Sequence, residues 1–184
     1  MSALDDRPET LWGSQPVAVE AVNRNAANVL LEAWDHPLGP CNRPFGQDHW
    51  LLVVAGRAVA LAVSASIVSP TIRDEQDRTW QRNKVLELAR IARHPDAPWS
   101  LRPMLRLWRE ALAPSWSHWQ AGLLVSYSLP GTPGDLYRFD GWRKARTVKR
   151  SAPGKTSTWG KPSASDAIGD GRKGLWCWHT EAAS

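Results

Sequence analysis

Residues 50–68 read WLLVVAGRAVALAVSASIV, the longest apolar stretch of the chain. What it can become limits everything packed around it. A membrane-spanning helix needs about 20 consecutive apolar residues, and Gly56 with Arg57 breaks this run near its middle. The break reads instead as a turn between two strands, WLLVVAG and AVALAVSAS, paired as a β-hairpin. The chain has 184 residues, 42% of them apolar, which suits one domain with a sizeable core and argues against general disorder.

The segments around the hairpin alternate in type. PVAVEAV (16–22) alternates apolar and polar residues and reads as a strand. Ala27, Leu30, Leu31 and Trp34 then fall at helical spacing, with Asn23 or Asn25 as the cap. HPLGPCNRPFGQDH is a proline- and glycine-rich loop, long enough to suggest function. After a polar break at SPTIRDEQDRTWQRN, KVLELARIARH (84–94) reads as a strand buried mostly on one side. LRPMLRLWREALA is an amphipathic helix that Ser100 can cap. GLLVSYSL (122–129) is a strand, DLYRFDG a short helix ended by Gly141, and WRKARTVK and GLWCWH the last strands. The order predicts an α/β (α+β) domain, a mixed sheet of about six to seven strands flanked by helices. Its divisions are a loose leader at 1–15, the domain at 16–150, a basic Gly/Ser/Pro-rich flap at 151–173, and a closing strand and tail at 174–184.

The net charge is +5, and Arg143, Lys144, Arg146, Lys149, Arg150 and Lys155 follow one another with no acid between them. Such a field attracts polyanions, so nucleic acid is the expected partner, with a solvated basic face as the alternative. In the flap, Trp159 is placed to stack on a base while Arg143, Lys149 and Arg150 meet phosphates. The twelve tryptophans are unusual for this length and are shared between core and stacking surface. Two cysteines, Cys41 and Cys177, and an acidic N-terminus without an apolar signal core point to free thiols in the cytoplasm, with no membrane anchor. His36, Cys41, Asp48 and His49 match no standard metal spacing, so no metal is expected. A homodimer stays open.

Two blocks, VLELARIARHPDAPWSLRPMLRLWREAL and LLVSYSLPGTPGDLYRFDGW, together resemble the GNAT superfamily of N-acetyltransferases. In scattered pieces over residues 20–148, the loop WDHPLGPCNRPFG, the LELARI strand and the VSYSLPGTPGDLYRFDGW block are similar to phage Mom-type DNA-modification proteins and their prophage relatives, a divergent branch of the same superfamily. The resemblance implies a transferase acting on an exocyclic amine of a DNA base. An acyl-CoA-dependent N-acyltransferase on a small amine or peptide, and a scaffold that only binds DNA or protein, are the alternatives.

It also implies roles. Tyr137 occupies the position of the tyrosine that protonates the leaving group, and Glu87 that of a general base on the central strand. Asp140 is the second candidate base, while Asp135 reads as a helix cap; Phe139 and Trp142 read as packing residues. Ser126 and Tyr127 stand where the family's sheet splays, and alternation sends only one of them into the cleft. Asp35 and His36 frame the acceptor. A buried strand glutamate needs a partner, so Glu87 is either catalytic or paired with an arginine such as Arg90 or Arg143. The family's glycine-rich pyrophosphate loop is absent: RHPDAPWS has two prolines and no glycine, which leaves Arg93, Ser100 and Arg102 to hold a phosphate and puts acetyl-CoA or another acyl-CoA in doubt.

Overall fold

The computed structural model describes residues 15–44, 46–129, 131–149 and 172–180. The elements run β1 (Val17–Ala21), α1 (Arg24–Ala33), β2 (Gln47–Val54), β3 (Arg57–Ala65), β4 (Thr71–Arg73), β5 (Thr79–Gln81), β6 (Val85–Arg93), α2 (Leu101–Leu107), β7 (Leu123–Tyr127), α3 (Asp135–Phe139), β8 (Arg143–Lys149) and β9 (Arg172–His179). Seven strands form one mixed sheet in the order β1-β2-β3-β6-β7-β9-β8. Its neighbours are antiparallel except β6 and β7, which run parallel.

The apolar stretch forms the β2–β3 hairpin as expected, but the turn is Ala55-Gly56, one residue earlier than Gly56-Arg57. Both turn residues have positive φ, 51° and 75°. That is the twist a two-residue hairpin connection needs, and glycine meets it at little cost. The polar segment before β6 carries a small separate hairpin, β4–β5. The strand β6 is buried from Val85 to Ala89 without alternation. It is a central strand covered on both faces, not on one as its sequence suggests.

The two faces have different cover. On one, α2 and α3 pack Met104, Leu105, Trp108 and Tyr137 against Leu86, Leu88, Leu124 and Trp176. On the other, α1 presses Ala27 and Leu31 onto Leu51, Val53, Leu61 and Val63. Trp80 of the β4–β5 hairpin packs beside Val85, Leu123, Val125 and Leu175 on that same side. Leu61, Leu86 and Leu123 are fully buried, each contributing about 1.5–3 kcal/mol. Trp108 is buried as well, and its indole N–H donates to Ser64 Oγ at 2.8 Å, so no polar atom is left unpaired there.

Asn23 caps α1, its side chain accepting from the Ala26 N–H at 2.9 Å. Ser100 does not cap α2, since it makes no side-chain cap bond. The α2 axis continues through a wider turn, Trp108–Leu112, in which the Ala113 N–H reaches back five residues to the Trp108 carbonyl at 2.7 Å. Gly141 (φ 86°) ends α3 in a Schellman arrangement, with Gly141 N–H to Arg138 O and Trp142 N–H to Tyr137 O. The closure turns Trp142 back over the ring of Tyr137, edge-on at 5.5 Å.

Candidate functional site

The central pair of strands is where the sheet opens. β6 pairs with β7 only from Val85 to Leu88, against Leu123 to Ser126. Beyond that rung β7 ends at Tyr127, while β6 continues to Arg93 held by β3 alone. A fork is left between two parallel strands in the middle of the sheet.

Ser126 and Tyr137 close the base of the fork. The Ser126 hydroxyl donates to the Leu88 carbonyl at 3.0 Å and lies 2.8 Å from Tyr137 Oη. A serine has one proton to give. With it on Leu88, the Tyr137 hydroxyl is the donor to Ser126. Tyr137 is stacked on Trp176 at 5.8 Å and is 5% exposed. Burial pushes its phenol up to about 12, against the lowering effect of its hydrogen bond with Ser126, with the Glu87 charge adding to the rise. The proton therefore stays on the oxygen at neutral pH.

Glu87 occupies the same stretch of β6 but faces the other way, because Leu86 and Leu88 on either side of it point into the Tyr137 core. Its partner is Arg43 of the loop after α1, at 2.6 Å, and neither Arg90 nor Arg143. Arg90 instead ties the loop down, donating to the carbonyls of Leu38, Gly39 and Pro40. Arg143 lies 3.7 Å from Glu75. Tyr127 shares the Glu87 face; burial first, then the Glu87 charge, pushes its phenol up to about 12. The Lys173 ammonium sits 4.0 Å from the centroid of its ring. Alternation has thus divided the pair: Ser126 looks toward Tyr137 and Tyr127 toward Glu87.

The other residues singled out from sequence are engaged elsewhere. The Asp140 side chain is covered, 3.3 Å from Arg109 Nε, and accepts from the Trp142 indole at 3.1 Å. The Arg109 guanidinium in turn covers Trp178 at 3.8 Å. This is a packed ion pair, which leaves Glu87, on the rung next to the base of the fork, as the candidate carboxylate. Asp135 is not the cap of α3; Gly134 is, and Asp135 pairs with Arg138 at 2.8 Å. Phe139 is 61% exposed and does not pack, whereas Trp142 does. His36 lies in the loop but serves as a pin: its Nδ1 accepts from the Leu38 N–H at 3.2 Å, and desolvation, then the charge of Arg90, lowers it to about 4 against a hydrogen bond with Ile91. Asp35 is exposed at φ 49°. Arg150, Trp159, the leader before Gln15 and residues 151–171 of the flap lie outside the described residues, as does the side chain of Lys149.

The loop before α2 offers an acyl-CoA pyrophosphate fewer N–H groups than a glycine-rich cradle would. A phosphate cradle needs outward-facing backbone N–H groups. Here the N–H of His94 goes to Val59 O, that of Asp96 to His94 Nδ1, that of Ala97 to His94 O and that of Ser100 to Ala97 O. Pro95, Pro98 and Pro103 have none to give. Ser100 is fully buried and its hydroxyl points to the Val59 and Ala97 carbonyls, both at 2.8 Å. Arg93 bonds the Pro95 carbonyl, and Arg102 that of Phe139. The Asp96 carboxylate, paired with Arg57, adds a negative charge beside them.

His36, Cys41, Asp48 and His49 do not gather as a ligand set. Among the described residues Asp74, Glu75 and His179 do, with ligand atoms within 4.8 Å of one another. Both Asp74 oxygens are already taken, by the Gln76 and Arg78 N–H groups and by Arg78 Nε and the Trp80 indole. The trio clasps the β4–β5 hairpin to β9. Cys41 and Cys177 are free and buried, and no helix among the described residues is long and apolar enough to cross a membrane.

Sequence reading missed Arg43, Arg146 and Lys173. Arg43 meets Glu87 across 44 residues, and no local pattern encodes such a contact. Arg146 was visible only as one member of a basic run.

No protein-family model matches the chain, and no curated protein matches it by sequence. Solved structures do match in shape. The ribosomal-protein-S18-alanine N-acetyltransferase of Escherichia coli superposes over 92% of this chain and 97% of its own, with a TM-score of 0.57 at 12% identity. NAA60 of Arabidopsis thaliana, solved with a bisubstrate analogue, gives 0.58 over 90% of this chain and 100% of its own at 10% identity. An IAA acetyltransferase of Bacillus cereus gives 0.52 over 90% and 100% at 12% identity. At such identities the likeness is one of fold: the chain has the forked mixed sheet and flanking helices of the GNAT N-acetyltransferases.

Proposed function

We propose that the chain is a GNAT-fold transferase of the Mom-like type that places a group on an exocyclic amine of a DNA base. The observation that carries the transferase reading is the fork, with a protonated phenol on one face of the sheet and a carboxylate on the other. Glu87, held by Arg43, is positioned to take the proton an attacking amine must lose. Tyr137, kept protonated by burial, is positioned to give one to the departing group. Ser126 holds the phenol at the fork and is fixed in turn by Leu88.

DNA as acceptor is supported by charge and by chemistry. The edge strand β8 carries Arg143, Lys144 and Arg146 with no acid, and continues into the basic sequence that follows. A base amine is hidden in the stack until the base is extruded into a pocket. The donor is left unassigned, because the loop before α2 offers CoA fewer N–H groups than a glycine-rich cradle would. An acyl-CoA enzyme acting on a small amine remains the reading to test against, since a Bacillus subtilis acetyltransferase of this fold was solved in complex with CoA (TM-score 0.51, 6% identity).

The test is nucleoside mass spectrometry of DNA from cells expressing the chain or its Tyr137→Phe variant. We expect a new modified nucleoside with the native chain and a loss of about 10²-fold or more with the variant. Removing one hydrogen bond costs about 1 kcal/mol of stability, so the variant folds and the loss reports chemistry. Equal modification by both proteins would remove Tyr137 from the mechanism. Unmodified DNA with both, alongside acetylation of small amines by purified protein, would replace the DNA reading with the acyl-CoA one.

A further inference from the structure

On the Glu87 face, beyond the fork, the structure gathers cations around one phenol. Tyr127 pairs across the sheet with Leu175, and Leu175 with Arg146, so the three lie in one row on one face. Lys173, two residues from Leu175 on the same strand, returns over the Tyr127 ring at 4.0 Å. Arg43 enters from the loop. One of its terminal nitrogens, Nη2, holds Glu87; the other, Nη1, is buried and meets no hydrogen-bond partner among the described residues. A buried guanidinium N–H without an acceptor is costly, and a bound oxyanion is the acceptor it suits. The charges of Arg43 and Arg146 are both close enough to pull the Tyr127 phenol down against its burial. Among the described residues Glu87 stands beside them, already paired with Arg43. The acids Asp74 and Glu75 serve the other end of β9, at His179.

We propose that Arg43, Arg146 and Lys173 form an oxyanion subsite beside Tyr127, which seats a phosphate of the acceptor while its amine is brought to Glu87. This rests on the transferase reading above and narrows it: the acceptor is a nucleotide, recognised by its phosphate. The subsite lies on the opposite face from α2, where the fold's loop has its N–H groups turned inward. The phosphate can belong to a free nucleotide or to a DNA strand, and the two are separable by experiment.

The test is calorimetric titration of the full chain with the four deoxynucleoside 5′-monophosphates, the matching nucleosides, and a short single-stranded oligonucleotide. We expect a monophosphate or the oligonucleotide to bind at least about tenfold tighter than its nucleoside, the worth of one charge-assisted contact. Preference for the oligonucleotide assigns the phosphate to DNA, and preference for the monophosphate to a free nucleotide. Lys173→Met and Arg146→Gln should each erase about tenfold of that advantage. Arg106→Gln removes the same charge from the exposed surface of α2, on the opposite face, where Arg106 pairs with Glu110, and should leave it within about twofold. Equal affinity for nucleosides and nucleotides, which needs no variant, overturns the subsite, as does an equal loss in Arg106→Gln. Phosphate-dependent binding without any DNA modification would keep the subsite and discard the transferase; modification with unaltered binding in the variants would do the reverse.

Discussion

A histidine that stays neutral where it sits makes the loop after α1 sensitive to acid. Burial, then Arg90, lowers His36 to about 4 from an ordinary 6.5. The unfolded chain therefore binds a proton between those values that the folded chain refuses. Stability present above pH 6.5 is lost as the pH falls toward 4. Urea unfolding at pH 7 and at pH 4.5 should show the midpoint falling on acidification, and His36→Gln should flatten that fall while starting lower at pH 7. Parallel declines in both proteins would assign the effect to other groups. The residue also shows what sequence can and cannot convey. Its loop was recognisable from prolines and glycines, and the family resemblance set His36 near the acceptor. Its role as a pin depends on Leu38, Ile91 and Arg90 converging on one ring, and only folding brings β6 to it. The short helix that carries Tyr137 was legible because its block is contiguous; the Arg43–Glu87 pair was not, because it joins a loop to a strand 44 residues on.

At the scale of elements, periodicity and punctuation located nearly every strand and helix, and the errors fall where tertiary contacts outrank local pattern. The alternation of β6 suggested one buried face, yet a central strand is covered on both. The β4–β5 hairpin went unseen because it is short and polar, and its hold on the sheet comes from the Asp74 clasp. The β2–β3 turn was set one residue late, since alanine is not expected at positive φ. Ala55 is exposed at φ 51°, a conformation that costs a residue with a Cβ about 1–2 kcal/mol. Asn-Gly is the sequence this turn prefers. Ala55→Asn should stabilise the protein by about 0.5–1 kcal/mol, a rise of about 1–4 °C in Tm by calorimetry. The Ala55 N–H bond to Pro16 at 2.9 Å is a backbone bond and survives the change. A lower Tm would mean that the turn is not the two-residue type its dihedrals describe.

For the whole molecule, fold and chemistry point to different donors. The forked sheet is shared with acetyltransferases, and a fold does not by itself fix the substrate. The chain departs from a glycine-rich CoA cradle in where its hydrogen-bond donors face. The N–H groups of His94, Asp96, Ala97 and Ser100 close on their own loop, while cations cluster on the far face around Tyr127. A ligand that binds only the folded state raises its stability by RT ln(1 + [L]/Kd), about 2.7 kcal/mol at a hundredfold excess over Kd. For a chain of this size that is a rise of about 5–10 °C. Acetyl-CoA at about 1 mM should therefore leave the melting temperature unchanged, where a CoA enzyme with a Kd of about 10 μM would show the full shift. An oligonucleotide should raise it, with the gain shrinking as salt is added, because phosphate contacts release counterions. If acetyl-CoA raises the melting temperature instead, its pyrophosphate is held by something other than the α2 loop. The cations around Tyr127 would then be the first place to look, and Lys173→Met would abolish the shift.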